Sequence, residues 1–229
     1  MKETKLSALL DGGMNFAMIP MTQAMHMAIA KAKEHGFGIT GTNNTKTSTG
    51  AQGYYTSRIA KEGLIGFSFA QVLPMVAAYG SSQAIYGTNP ISIAVPADPE
   101  PIVLDMSTAA MAFYGFLQAK TAGKQVAPGL GYDKDGNPTT DPGSILSGGA
   151  IKEFGGYKGS GLAFMIEALA GPLVGAAFAS IGERGDWGNL VMAIDPELLV
   201  DRNEFKKHVS LLAQKVKATR KLPGVKEVL

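Results

Sequence analysis

The sequence predicts an α/β protein, and three observations carry that prediction. Segments of strand and helix character alternate along the chain, and hydrophobic residues make up 45% of its 229 positions. No glycine fingerprint of a Rossmann or P-loop site, in its required spacing, follows any predicted strand. The first observation sets the class, the second supplies a sizeable core, and the third removes the two commonest nucleotide-binding layouts.

Residues 17–35 have helical spacing, with Ala24, Met27, Ala28 and Ala32 on one face and Lys31, Lys33 and Glu34 off it. Gly36 then ends the helix as a C-cap glycine would. Residues 37–42 (FGITGT) and 64–70 (LIGFSFA) read as strands on either side of a helix at 50–62 that contains Tyr54, Tyr55, Ile59 and Ala60. Two extended runs, 91–96 and 102–106, are joined by Ala-Asp-Pro-Glu-Pro, which suits a hairpin. A helix is expected at 107–122. Residues 123–149 are rich in turn formers, among them Asp135-Gly136, Asn137-Pro138 and Asp141-Pro142, and predict a long loop, usually functional or disordered. Residues 159–180 are nearly all apolar and approach the ~20 residues of a bilayer span. Glu167 and Pro172 interrupt them, and Gly161, Ala163, Ala168, Gly171 and Gly175 suit close packing, so the segment reads as a buried or interface helix and not a membrane span. A strand at 189–194 and an amphipathic helix at 201–219, with Phe205, Val209, Leu212 and Val216 on one face, complete the pattern. No internal repeat or linker is visible, so one α/β domain over 1–229 is expected.

Composition excludes several function classes. Lys and Arg number 21 against 19 Asp and Glu, a net charge of +2, and the two signs are interleaved. That is not the concentrated basic surplus of a nucleic-acid domain, nor a polybasic anchor. Charged residues are only 17%, below the roughly 25% of an average globular chain, which points to surface buried in a core or between subunits. Without cysteine there is no disulfide, thiol nucleophile or Cys-ligated metal. His26, His35 and His208 fall in no zincin spacing, and the Asp-Lys-Asp-Gly-Asn run departs from the calcium-loop pattern, so no metal site is expected. The opening residues MKETKLSALLDGG contain no apolar core of signal-peptide length, and a soluble cytoplasmic protein is expected.

Two local constellations can carry chemistry. Thr88-Asn89-Pro90 precedes a strand, and Asp105-Met106-Ser107-Thr108 lies where the next strand is expected to give way to a helix. Ser107 and Thr108 can cap that helix or leave its N–H groups free for an anion. Lys158, among glycines at the start of the apolar helix, lets backbone and ammonium approach a phosphate or carboxylate together, or is a solvated lysine in a flexible turn. From the residues alone both readings stay open in each case.

Residues 87–107 (GTNPISIAVPADPEPIVLDMS), 135–142 (DGNPTTDP) and 155–176 (GGYKGSGLAFMIEALAGPLVGA) resemble the malate/L-lactate dehydrogenase family, the non-Rossmann group that includes ureidoglycolate and sulfolactate dehydrogenases. The likeness continues through AMHMAIAKAKEHGFG, GAQGYYTSRIAKEGLIG and AIDPELL, in colinear order over nearly the whole chain. It implies a mixed, non-Rossmann sheet surrounded by helices and a homodimer with its active site near the subunit contact. It also implies NAD- or NADP-dependent hydride transfer between a nicotinamide and a small 2-hydroxy or 2-keto acid. Position by position, Asp105, Met106 and Ser107 match the family's cofactor-binding strand end. Lys158 matches the lysine of its K-G-x-G-L motif, and Asn89 and Pro90 match the G-T-N-P-I segment near the cofactor.

The sequence departs from the family at 47–55 (TSTGAQGYY), where Ser48 stands at the position of the histidine that exchanges a proton at the substrate carbon. A hydroxyl lacks the near-neutral pKa, ~6.5, that suits imidazole to this work. The chain is also expected to be shortened at both ends relative to the family, without the N-terminal region that contributes a substrate-binding Ser-His-Gly and an arginine. Two expectations follow from the resemblance. One is an oxidoreductase with Ser48 on the substrate side; the other is a catalytically degenerate member acting as a structural or assembly subunit of a larger complex. Glu167 and the three histidines are expected in structural roles.

Overall fold

The computed structural model describes residues 2–179, 181 and 186–228. Along the chain run β1 (Lys2–Glu3), β2 (Ser7–Phe16), α1 (Met18–His35), β3 (Phe37–Lys46), α2 (Gly53–Lys61), β4 (Ile65–Ala70), β5 (Val76–Ala77) and β6 (Ala84–Tyr86). There follow β7 (Ile91–Val95), β8 (Ile102–Met106), α3 (Phe113–Thr121), β9 (Gly131–Tyr132), α4 (Pro142–Leu146), β10 (Ala150–Ile151), α5 (Tyr157–Ala170), β11 (Trp187–Ile194) and α6 (Arg202–Lys217).

A seven-stranded sheet in the order β1-β2-β3-β11-β4-β7-β8 forms the main layer. Only β2 and β3 run parallel in it; every other pair is antiparallel. This is the mixed sheet expected, far from the all-parallel 3-2-1-4-5-6 order of a Rossmann fold. The late strand β11 inserts between β3 and β4, so its Val191 faces Thr40 on one side and Ser68 on the other.

Strand side chains alternate between the faces of a sheet, and here the two faces differ in character. One is covered by α1 and α2. Helix α1 buries Met21, Ala24, Met25, Ala28 and Ala32, and ends at Gly36, whose left-handed φ of 83° lets its N–H reach the Ala32 carbonyl at 2.7 Å. The helix lies so close to β3 that a Cβ on Gly38 would stand 2.2 Å from the Ala28 carbonyl oxygen. The other face is more apolar: Phe69, Ile91 and Leu190 pack with Ile166 and Ala170 of α5 and with Val174. A second sheet, β6-β5-β10-β9, closes on α3 and α4 through Val76, Phe116, Val126, Ile145 and Ile151.

Three expectations require correction. The helix expected at 107–122 begins only at Phe113. The chain stays extended because the N–H of Ala110 and that of Phe154 donate to the carbonyls of Lys152 and Thr108 at 2.8 and 3.0 Å, with Ala109 bridging Glu153. Backbone groups committed to that ladder are unavailable to a helix. Ser107 and Thr108 therefore cap nothing. The supposed loop at 123–149 is largely ordered: Asp133 folds a turn by accepting from the N–H groups of Asp135 and Asn137, both at 2.9 Å, and Asp141 caps α4 through Gly143 and Ser144. The apolar run at 159–180 is interrupted where Gly171 and Pro172 end α5, and its last residue, Ser180, lies outside the described residues. Among the described residues no helix is long and apolar enough to cross a membrane. Strand β2 and the two- and three-residue strands of the second sheet were not anticipated.

Candidate functional site

One register row of the sheet organises the first wall of the site. Ser68 on β4 faces Ser92 on β7, and Ser92 faces Asp105 on β8. Each of the three bonds a residue in or beside the first turn of α2. The Ser68 hydroxyl donates to the Gln52 carboxamide oxygen. Ser92 meets Thr56 Oγ1 at 2.6 Å and gives its own proton to the Leu104 carbonyl at 2.7 Å, so Thr56 is the donor between the hydroxyls. Asp105 Oδ2 accepts the N–H of Gly53 at 2.7 Å. The helix has no side-chain cap of its own, because Gln52 at the N-cap turns inward, and Asp105 supplies the missing acceptor from the neighbouring strand.

The same network fixes the loop that carries Ser48. Gln52 Nε2 donates to Thr49 Oγ1, and the buried Tyr55 hydroxyl donates to the Thr49 carbonyl at 2.7 Å. Burial, with a smaller contribution from the neighbouring Tyr54, pushes the Tyr55 phenol up to about 12. Thr47 and Gly50 take positive φ of 65° and 75°, a tight bend at which Ser48 Oγ accepts the Gly50 N–H at 3.0 Å. Its lone pair is thus engaged while its proton stays available to an oxygen outside. Ser48 is half-buried, and Asp105 and Lys46 are exposed.

A second wall lies on the α5 side of β8. Met106 packs with the α5 cluster, and Ser107 Oγ accepts the Ala109 N–H at 2.9 Å. The Thr108 N–H and hydroxyl both reach the Thr88 carbonyl, at 2.9 and 3.1 Å, and the hydroxyl also reaches the Asn89 carbonyl at 3.2 Å. Asn89 itself is fully buried with φ 34°, its Nδ2 spent on Glu167 Oε2 at 2.6 Å and the Ala163 carbonyl at 3.1 Å. Its side chain therefore lies beneath the surface; what it presents outward is the shape of the Thr88–Pro90 backbone. Pro90 is half-buried, and its carbonyl accepts the Ala70 N–H.

Lys158 stands exposed in the first turn of α5 and forms no hydrogen bond or ion pair among the described residues. Its helix starts at Gly156 without a side-chain cap, and a Cβ on Gly155 would meet nothing within 4 Å. Uncapped N–H groups, open backbone and a free ammonium fit a phosphate-bearing ligand such as a nicotinamide dinucleotide. The structure thus gathers Ser48 and Asp105 on the α2 side of β8, and Met106, Ser107, the Asn89–Pro90 turn and the start of α5 on the other. His26 and His208 are exposed and His35 pairs with Glu34; among the described residues none of the three bonds to either wall. Sequence reasoning missed Gln52, Ser68 and Ser92; the visible signal was a hydroxyl in each of two otherwise apolar strands.

Comparisons with known proteins give the chain's relatives. The malate/(S)-sulfolactate dehydrogenase of Methanothermus fervidus is 39% identical over 236 residues, covering 99% of this chain and 69% of that protein. The L-sulfolactate dehydrogenase of Methanothermobacter thermautotrophicus is 39% identical over 225 residues, covering 95% and 65%. The crystal structure of malate dehydrogenase from Entamoeba histolytica superposes with a TM-score of 0.93 at 31% identity, over 100% of this chain and 68% of that one. The chain thus spans about two thirds of the length of these relatives. A malate/L-lactate dehydrogenase model matches residues 1–229, and the chain belongs to that family.

Proposed function

We propose that the chain is an NAD- or NADP-dependent oxidoreductase interconverting a small 2-hydroxy acid and the corresponding 2-keto acid, acting in the cytoplasm as a homodimer. The observation that supports it best is the family match along the whole chain, joined to two walls of a site that meet at the end of β8. A bound nicotinamide supplies or receives the hydride. In this reading Lys158 holds a cofactor phosphate, with the first N–H groups of α5 beside it. Met106 and Ser107 border the cofactor at the strand end, and the Asn89–Pro90 turn shapes the floor against which it lies. Asp105 works from behind, setting the start of α2 and hence the reach of the Ser48 loop.

Ser48 faces the substrate and donates a hydrogen bond to its oxygen. Because a serine hydroxyl does not titrate near neutrality, it orients that oxygen without exchanging a proton at the rate an imidazole would. Hydride transfer is expected to be slow for a keto acid, and more dependent on solvent for its proton. Fluorescence titration with NADH and NADPH tests the reading. Saturable binding of either supports it, and the absence of binding of both at millimolar concentration removes its basis.

A further inference from the structure

Glu167 is a buried carboxylate, 5% exposed, on the helix that starts with Lys158, and the proposed chemistry makes no use of it. Among the described residues, the hydrogen bonds it accepts come from N–H donors. Oε2 accepts Asn89 Nδ2 at 2.6 Å and Oε1 accepts the Ala179 N–H at 2.8 Å, and the Gln71 side chain and the Gly87 N–H, close by, also favour the carboxylate. A protonated carboxyl would turn one of these acceptors into a donor facing a donor, so the hydrogen bonds favour the anion while burial opposes it. Asn89 holds a left-handed φ that a non-glycine residue keeps only when its surroundings over-determine it. From that turn the path leads back to the cofactor side. The Thr88 and Asn89 carbonyls bind Thr108, the Thr108 carbonyl binds the Phe154 N–H, and the Phe154 carbonyl abuts the first turn of α5 so tightly that a Cβ on Gly159 would lie 1.9 Å from it. The circuit therefore begins at Glu167 and closes one residue from Lys158.

We infer that Glu167 is a positioning residue of the cofactor site: its carboxylate pins the Gly87–Asn89 turn to α5, and through Thr108 and Phe154 sets Ser107 against Lys158. The inference rests on the function proposed above. Burial raises the carboxyl above its ordinary range, against the lowering by its hydrogen-bond donors, and the Tyr86 phenol on β6 is itself raised by burial and, to a lesser extent, by the Glu167 charge. Ionised Glu167 thus costs the fold stability. Relative to a Gln variant, the wild type gains stability as the pH falls through the raised value towards 4.5, the ordinary value, while its cofactor site loosens. A group serving stability alone would not move these two readouts in opposite directions.

The test is NADH titration of the full chain from pH 8.5 down to 4.5, the ordinary carboxyl value, for the wild type and Glu167→Gln, with urea unfolding at each pH. At pH 8 the variant is expected to bind NADH roughly tenfold more weakly, the loss of a charged hydrogen bond. Wild-type affinity should fall towards the variant's on acidification. Equal affinities with equal pH profiles overturn the inference. If the variant does not fold, the wild type alone decides, and an NADH affinity independent of pH over this range overturns it. If the wild type binds neither NADH nor NADPH, the proposed function fails, and hydrogen exchange in 87–90 and 107–109 of the two apo proteins decides instead: faster exchange in the variant upholds the positioning role and equal exchange ends it.

Discussion

Gln52→Leu is the sharpest perturbation of the row that organises the site. Gln52 is 1% exposed and joins two elements, donating to Thr49 Oγ1 in the Ser48 loop and accepting from Ser68 on β4. Leucine fills similar space but makes neither bond. Thr49 keeps a use for its proton at the Gly50 carbonyl, 3.3 Å away, so its loss is one ordinary hydrogen bond, about 1 kcal/mol. Ser68 is fully buried and is left with a stranded donor, which costs about 1–3 kcal/mol. The expected destabilisation is about 2–4 kcal/mol, read as a lower urea midpoint with an unchanged m-value. Since the larger part comes from the stranded hydroxyl, adding Ser68→Ala to Gln52→Leu should recover at least ~1 kcal/mol. A single variant within about 0.5 kcal/mol of wild type, or a double variant no more stable than the single, would refute this account of how α2 and the Ser48 loop are held.

The sequence disclosed the architecture wherever a single local rule governed. Helix α1 was legible to within a residue because its apolar spacing and Gly36 agree, and the β7–β8 hairpin because two apolar runs flank a proline-rich turn. Failures came where long-range partners decide. Nothing local says that Ala109 will bridge Glu153, so a segment that looks free to start a helix stays extended. Strand β2 was hidden because Gly12, Gly13 and Met14 interrupt its alternation, and its pairing with β3 is irregular there. Strands of two or three residues leave no periodicity to detect. At the site, the motif residues were found by resemblance, but their division of labour was not. Asn89 lies beneath the surface and Asp105 acts as a cap across elements, consequences of packing that no motif spacing encodes.

Three further variants test separate parts of the site. Ser48→His introduces a titratable group at the bend of its loop; reduction of pyruvate, oxaloacetate or glyoxylate should quicken by roughly 10²–10⁴ with NADH affinity unchanged, and steady-state assays with no gain would remove Ser48 from the substrate side. Lys158→Ala should weaken nicotinamide binding by about 1.5–3 kcal/mol at unchanged urea stability, because its ammonium is exposed and bonds nothing among the described residues. Tyr55→Phe probes the support under the same loop. At pH 8 the variant lacks the bond to the Thr49 carbonyl and should be less stable by about 1 kcal/mol. The phenol's value is raised on folding from 10 to about 12, so the folded chain retains that proton where the unfolded chain has released it. The resulting stabilisation is fully present below pH 10 and is lost as the pH rises through about 12, whereas phenylalanine has nothing to lose. The gap between wild type and variant should therefore narrow between pH 10 and about 12, with tyrosinate absorbance from one residue appearing late in the native protein. A gap that holds constant across that window would mean the Tyr55 hydroxyl is reached by water and does not support the loop.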